Sequence, residues 1–277
     1  MNITRRKFLQ LSAVSVAASA SFPLRLQSSE PFAGSPKKGL GLAPRNPVWP
    51  QILTDLRCKW VYTWVGRIPP NLPEEIKFFP MVRRTSSQPE QIARIGEEAK
   101  AHGITQLLGF NEPDAERQDN MTVEEVLAVW PLLMETGLRL GSPGCVHPDR
   151  EWMQEFMAGV EERGLRVDFI NVHSYGGPDP GALINRLRRV YEMFGRPLWI
   201  TELGVGDWKA QTVEENEHSP EVVWQFLHEL LPQLDGLDFL EYYAWFPSSQ
   251  DNPALGTSAL FDSEGQLTPL GELYRDA

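Results

Sequence analysis

The chain has 277 residues, 42% of them hydrophobic and nine of them Trp, which suits the core of one barrel of about 250 residues and exceeds most small-domain folds. Its formal charge of −11 is a poor match for nucleic acid or an anionic membrane and a good one for a neutral substrate. Two cysteines rule out a disulfide framework, and Cys58 and Cys145, at opposite ends of predicted parallel strands, are expected as unpaired thiols.

The N-terminus reads as an export signal. Thr4–Arg5–Arg6–Lys7–Phe8–Leu9–Gln10 is a twin-arginine pattern, followed by a mildly apolar run and a small-residue cleavage site at Ala18–Ser19–Ala20. The run is too short and too polar to span a membrane. Residues 1–20 hold Arg5, Arg6 and Lys7 and no acid, so their removal would take the charge from −11 to −14. A bacterial periplasmic or extracellular protein is expected, with no membrane partner once the signal is gone. A Pro/Ser-rich tether at 21–36 would lead into one folded domain at 37–277.

From there strand and helix patterns alternate. Lys38–Leu42 is a first strand, and Asn46–Pro47 opens a helix. Cys58–Trp64 is a second strand and Phe78–Val82 a third, with Pro80 awkward for a central strand. Gln91–His102 is an amphipathic helix closed by Gly103. Leu107–Glu112 is the fourth strand. Thr122–Val123–Glu124–Glu125 is a capping box for a helix to about Glu135. Leu138–Pro143 is a fifth strand, Glu151–Glu162 a helix, and Val167–Tyr175 the sixth strand. Pro180–Phe194 is helical and stops at Gly195. Pro197–Glu202 is the seventh strand, followed by a polar insert at 204–219 and a helix, Pro220–Leu231. Phe239–Phe246 is the eighth strand, and a closing helix starts near Thr268–Pro269. Eight strands, each followed by a helix or a long connection, predict a single-domain α/β (β/α)8 TIM barrel, whose site lies at the C-terminal strand ends.

Two of those strands, the fourth and the seventh, end in a carboxylate, Glu112 and Glu202. A pair of carboxyls at one barrel rim is what glycoside hydrolysis requires: one protonates the leaving oxygen, the other attacks or activates water. Side-chain alternation assigns Phe110 and Leu108 to the face of Glu112, and Ile200 and Leu198 to that of Glu202. On strand six, Phe169, Asn171, His173 and Tyr175 share one face, and His173 and Tyr175 would project at the mouth. Aromatic rings there can stack on sugars. Trp64 and Trp245, at strand ends, and Trp208, in the polar insert, are the candidates; Trp60, Trp199 and Tyr243 read as core, and Glu241 as a paired structural acid. No nucleophile elbow, phosphate loop or Cys-x-x-Cys pair is present, and the five histidines lack zinc spacing, so neither metal nor organic cofactor is expected.

These residues carry a resemblance. Leu108–Gly109–Phe110–Asn111–Glu112–Pro113–Asp114, Gly141–Ser142–Pro143, Asp168–Phe169–Ile170 with His173 and Tyr175, Trp199–Ile200–Thr201–Glu202, and Tyr243–Ala244–Trp245–Phe246 stand in order. So does the tail from Ala259–Leu260–Phe261–Asp262 to Leu267–Thr268–Pro269–Leu270–Gly271. The chain resembles glycoside hydrolase family 128, a family of retaining (β/α)8 glycosidases, over roughly Lys38 to Tyr274. The resemblance implies endo-acting hydrolysis of β-1,3-glucan; a monomer is expected. Glu112 would be the acid/base, Glu202 the nucleophile, and Asn111 the holder of the sugar 2-hydroxyl. Members often carry an aromatic after the third-strand Pro-Met, where this chain has Arg83–Arg84. Two rivals stay open: a barrel of the same clan acting on another β-linked polysaccharide, and a carbohydrate-binding barrel without catalysis.

Overall fold

A computed structural model describes residues 34–44 and 48–277. The signal, most of the tether and the Asn46–Pro47 helix start lie outside the described residues. Ser35, which composition assigns to the tether, is buried and hydrogen-bonded to Asp235 and to the Ala277 carbonyl.

The strands are β1 (Lys38–Gly41), β2 (Trp60–Tyr62), β3 (Lys77–Phe78), β4 (Gln106–Leu107), β5 (Arg139–Leu140), β6 (Ile170–Ser174), β7 (Leu198–Leu203) and β8 (Leu240–Trp245). The helices are α1 (Trp49–Asp55), α2 (Pro89–Ala101), α3 (Val123–Glu135), α4 (Glu151–Glu162), α5 (Pro180–Phe194), α6 (Pro220–Asp235) and α7 (Pro269–Asp276). One run of parallel strands has the order β3-β2-β1-β8-β7-β6, and a second pairs β4 with β5. Parallel bridges Met81↔Leu108 and Gly141↔Phe169 join the runs into one ring. The fold is the (β/α)8 barrel.

Local chemistry explains the element ends. Thr122 and Glu125 form the expected capping box, Asp179, Ser219 and Thr268 cap their helices, and Gly195 closes α5 at φ 60°. α6 outruns its expected end at Leu231 because Pro232 forfeits only its own N–H while Leu230, Leu231 and Leu234 continue the buried stripe. β3 is shorter than expected: Pro80 has no N–H for the ladder, and pairing resumes only at Met81.

Two cores are nested. Inside the ring, Trp60, Tyr62, Phe79, Met81, Leu108, Phe169, Trp199 and Ala244 pack together, with Phe169 stacked on Trp199 at 4.1 Å between centroids. Gly39 faces Trp60, and a Cβ there would sit 2.2 Å from the indole, so only glycine fits. Outside the ring, Leu40, Val61, Leu107, Leu140, Ile170 and Val172 meet the helices. Both cysteines are free and buried in this outer layer, and burial pushes the Cys58 thiol up to about 12.

Alternation holds on β6, breaks on β4 and β7, and holds on β8 with the inner and outer faces exchanged. Leu108 lies in the inner core, but Phe110 lies in the outer one, because the β4 ladder stops at Leu107 and Gly109 then runs against the backbone of Ser142. On β7, Trp199 is inside while Leu198 and Ile200 face the helices. The pairings Val172↔Ile200 then His173↔Glu202, and Ile200↔Tyr243 then Leu203↔Trp245, leave Thr201 extra against both neighbours. This β-bulge lets Trp199 and Glu202 both face inward. On β8, Ala244 is inside and Tyr243 and Trp245 are outside. Glu241 is a paired acid as expected: half-buried, it accepts both guanidinium arms of Arg139, at 2.6 and 2.8 Å, and the Trp199 indole.

Candidate active site

The ends of the strands open into a cleft of about 1320 Å³, with Glu112 and Glu202 in its lining. Both carboxyls are largely buried, at 8% and 5% exposure. Glu112 stands just past β4 in a left-handed conformation, φ 43°, held by its N–H on the Gly144 carbonyl at 2.7 Å. The bulge on β7 presents Glu202 from the opposite side of the ring. Glu112, His173 and Glu202 each place one oxygen or nitrogen within 4.8 Å of the others. These atoms serve one another: His173 Nδ1 lies 2.8 Å from Glu112 Oε1 and 3.6 Å from Glu202 Oε2.

Glu202 is the acceptor for three further donors. Tyr62 Oη and Trp64 Nε1 each donate to its Oε1 at 2.8 Å, and Tyr175 Oη donates to its Oε2. Burial first, and the Glu202 charge second, push both tyrosine hydroxyls well above their ordinary pKa, so they stay protonated donors. Burial disfavours charge on His173, but the Glu202 charge and the hydrogen bond and charge of Glu112 outweigh it and raise its pKa.

Asn111 is buried beside Glu112. Its backbone N–H donates to Asp119 Oδ2 at 3.0 Å and its amide nitrogen to Gln118, while its Oδ1 has no hydrogen-bond partner. Arg83 and Arg84 now have a structural role. Arg83 Nε holds Asp119 Oδ1 at 2.8 Å, and Arg84 reaches the carbonyls of Asp119 and Asn120. Together they clamp the loop that carries Asn111 and Glu112.

Trp64, Tyr175 and Trp208 line the cleft; Trp208 is 65% exposed and meets the Tyr175 ring edge-on. Trp245 does not line it. It is fully buried in the outer core with its indole N–H on the Ser258 carbonyl, so the expectation that it touches substrate is corrected. Its neighbour Phe246 takes that place, packed edge-on against Trp64 and Tyr175. Sequence reasoning also passed over Tyr62, although it shares the inward face of β2 with Trp64 and sits one step below the mouth.

The pattern of the glycosyl hydrolase catalytic core family matches residues 43–274. A subgroup I family 128 endo-β-1,3-glucanase from Amycolatopsis mediterranei, in complex with laminaripentaose, superposes with a TM-score of 0.77 at 33% identity, covering 88% of this chain and 100% of its own. The chain belongs to glycoside hydrolase family 128. A subgroup II endo-β-1,3-glucanase from Sorangium cellulosum is similar at 25% identity and a TM-score of 0.72, covering 87% of this chain and 98% of its own. No curated protein matches the chain. This family 128 member is therefore a glycoside hydrolase, and its two buried strand-end carboxyls are the groups suited to that chemistry.

Trp64 offers an early test. Trp64→Phe keeps a ring but removes one donor to Glu202, and kcat/KM should fall roughly tenfold, the worth of one hydrogen bond to a charged group. Trp245→Phe loses only a core contact, so it should lower the melting temperature and leave the kinetics of the folded enzyme unchanged. Kinetic loss at Trp245 equal to that at Trp64 would refute this division.

Proposed function

We propose that this hydrolase is an endo-acting β-1,3-glucanase that works by double displacement with retention. The observation that carries the substrate is the laminarioligosaccharide bound in the similar Amycolatopsis mediterranei family 128 enzyme, laminaripentaose in one variant and laminarihexaose in another. The approach of the two carboxyls supports the mechanism. An oxygen of Glu112 lies within 4.8 Å of an oxygen of Glu202, in keeping with the close carboxyl pair of retaining enzymes, about 5–5.5 Å apart.

In this reading Glu202 attacks the anomeric carbon while Glu112 gives its proton to the departing glycosidic oxygen. Glu112 then takes a proton from water, whose oxygen displaces Glu202 from the sugar. Tyr62, Tyr175 and Trp64 aim Glu202 by fixing both its oxygens. Asn111 would hold the sugar 2-hydroxyl beside the nucleophile, and Trp64, Trp208 and Phe246 supply stacking faces. Two carboxyls suffice, so activity should survive prolonged EDTA. A loss restored by adding a divalent ion would contradict that.

The deciding experiment is incubation with a panel of soluble β-1,3-glucan, β-1,4-glucan and β-mannan, with sizing of the products. Internal cuts in the β-1,3-glucan, giving a spread of oligosaccharides, are expected. Cleavage of another glycan alone would move the substrate, and binding without cleavage would make the protein a glycan-binding barrel.

The twin-arginine pattern at Arg5–Arg6 supports export of the folded protein to the periplasm or beyond. Arg5→Lys with Arg6→Lys should leave the precursor inside the cell, and unchanged export would end this proposal.

A further inference from the structure

We propose that His173 decides which oxygen of Glu112 carries the acid proton, and that Gly144 fixes the imidazole tautomer that makes this possible. The inference rests on the acid role given to Glu112 above.

His173 is fully buried on β6. Its Nδ1 faces Glu112 Oε1 at 2.8 Å. Its Nε2 is buried with no hydrogen-bond partner. That nitrogen lies against Gly144, where a Cβ would stand 2.7 Å away, so even alanine would have to push the ring. The carboxylates favour the imidazolium, in which Nδ1 carries a proton in any case; when the ring is neutral it carries one proton, and buried N–H groups are almost always paired. Placed on Nε2, the proton would face Gly144 without an acceptor. Placed on Nδ1, it has Glu112 Oε1. The surroundings therefore select the Nδ1–H tautomer.

The consequence falls on the acid. With Oε1 engaged as acceptor, the carboxylic proton of Glu112 sits on Oε2. Oε2–H protonates the glycosidic oxygen as the bond from that oxygen to the anomeric carbon breaks. Oε2 then receives a proton from the water whose oxygen bonds that carbon. His173 keeps its own proton through both steps. It acts through Glu112 and is a positioning residue.

Gly144 holds both partners. Its carbonyl accepts the Glu112 N–H at 2.7 Å and its N–H donates to the Phe110 carbonyl at 2.8 Å, pinning the backbone of the acid on both sides. The charges around the imidazole come from several elements. Glu112 and Asp114 face it from the β4 end and Glu202 from β7, while Arg186 on α5 reaches only the His173 carbonyl, at 3.5 Å. The buried Cys145 follows Gly144 and bridges to Val172, and its thiol is held neutral by burial.

The test compares His173→Leu, which fills similar space without a donor, with His173→Asn, whose amide N–H stands near the place of Nδ1. Each is assayed on a laminarioligosaccharide, a poor leaving group, and on a dinitrophenyl β-laminaribioside, a good one that needs no acid. His173→Leu should lose about 100-fold in kcat/KM on the oligosaccharide and less than about threefold on the aryl substrate, as a disturbed general acid does. His173→Asn should recover most of the loss. Gly144→Ala should show the same split, smaller. Equal losses on both substrates in folded variants, or an Asn variant no better than Leu, overturn the proposal. If Glu112→Ala itself shows no such split, the acid assignment falls instead, so the two failures are separable.

Discussion

Glu202→Ala should abolish turnover of every glycoside, with a loss on the order of 10⁴-fold or more, because no other group replaces a nucleophile. Tyr62, Trp64 and Tyr175 all donate to this one carboxylate, and the bulge at Thr201 turns it into the cleft. With the side chain cut to a methyl, the three donors remain and their acceptor is gone. No glycosyl-enzyme should form even with an activated fluoride or dinitrophenyl donor, as read by intact-mass spectrometry. A covalent adduct in Glu202→Ala would move the nucleophile elsewhere.

Glu112→Ala should fail differently. Hydrolysis of β-1,3-glucan should drop by about 10²–10⁴-fold, the usual worth of a general acid. Dinitrophenyl glycosides need no protonation to leave, so they should still glycosylate Glu202 at a near-normal rate. The intermediate should then accumulate for want of a base. The cavity left beside His173 admits azide, which needs no base, and turnover should recover with a β-glycosyl azide as product. An α-glycosyl azide, or no acceleration by azide, would count against the pairing of roles. The contrast between the two variants is the signature of one carboxyl that attacks and one that moves a proton.

Much of this was legible from residues alone, for physical reasons that can be named. A carboxylate ending an apolar run is conspicuous, and Glu112 and Glu202 stood out on that ground. The faces of β6 also read correctly, since Phe169, Asn171 and His173 alternate with Ile170 and Val172, but His173, expected at the mouth as a substrate contact, is fully buried behind Glu112 and does not line the cleft. The failures have a common cause. Alternation assumes an unbroken ladder, and β7 carries an extra residue at Thr201 that nothing in its local composition announces. The inward face therefore passed from Ile200 to Trp199. Trp245 was misplaced for a related reason: the faces of β8 were grouped correctly, but the outer face was taken for the inner. Tyr62 was hidden by its burial, since a ring below the mouth looks like core until its hydroxyl is seen on Glu202. Arg83 and Arg84 had no local signal, because their partner Asp119 lies in a loop that only the barrel brings near.

The most direct measurement is an NMR time course of the wild-type enzyme on laminarin, following the anomeric protons of newly formed reducing ends before mutarotation. The account predicts new β-1,3-linked oligosaccharides whose reducing ends appear first as the β anomer. An α anomer appearing first would show inversion and undo the roles of Glu112 and Glu202, and laminarin left intact would remove the substrate itself.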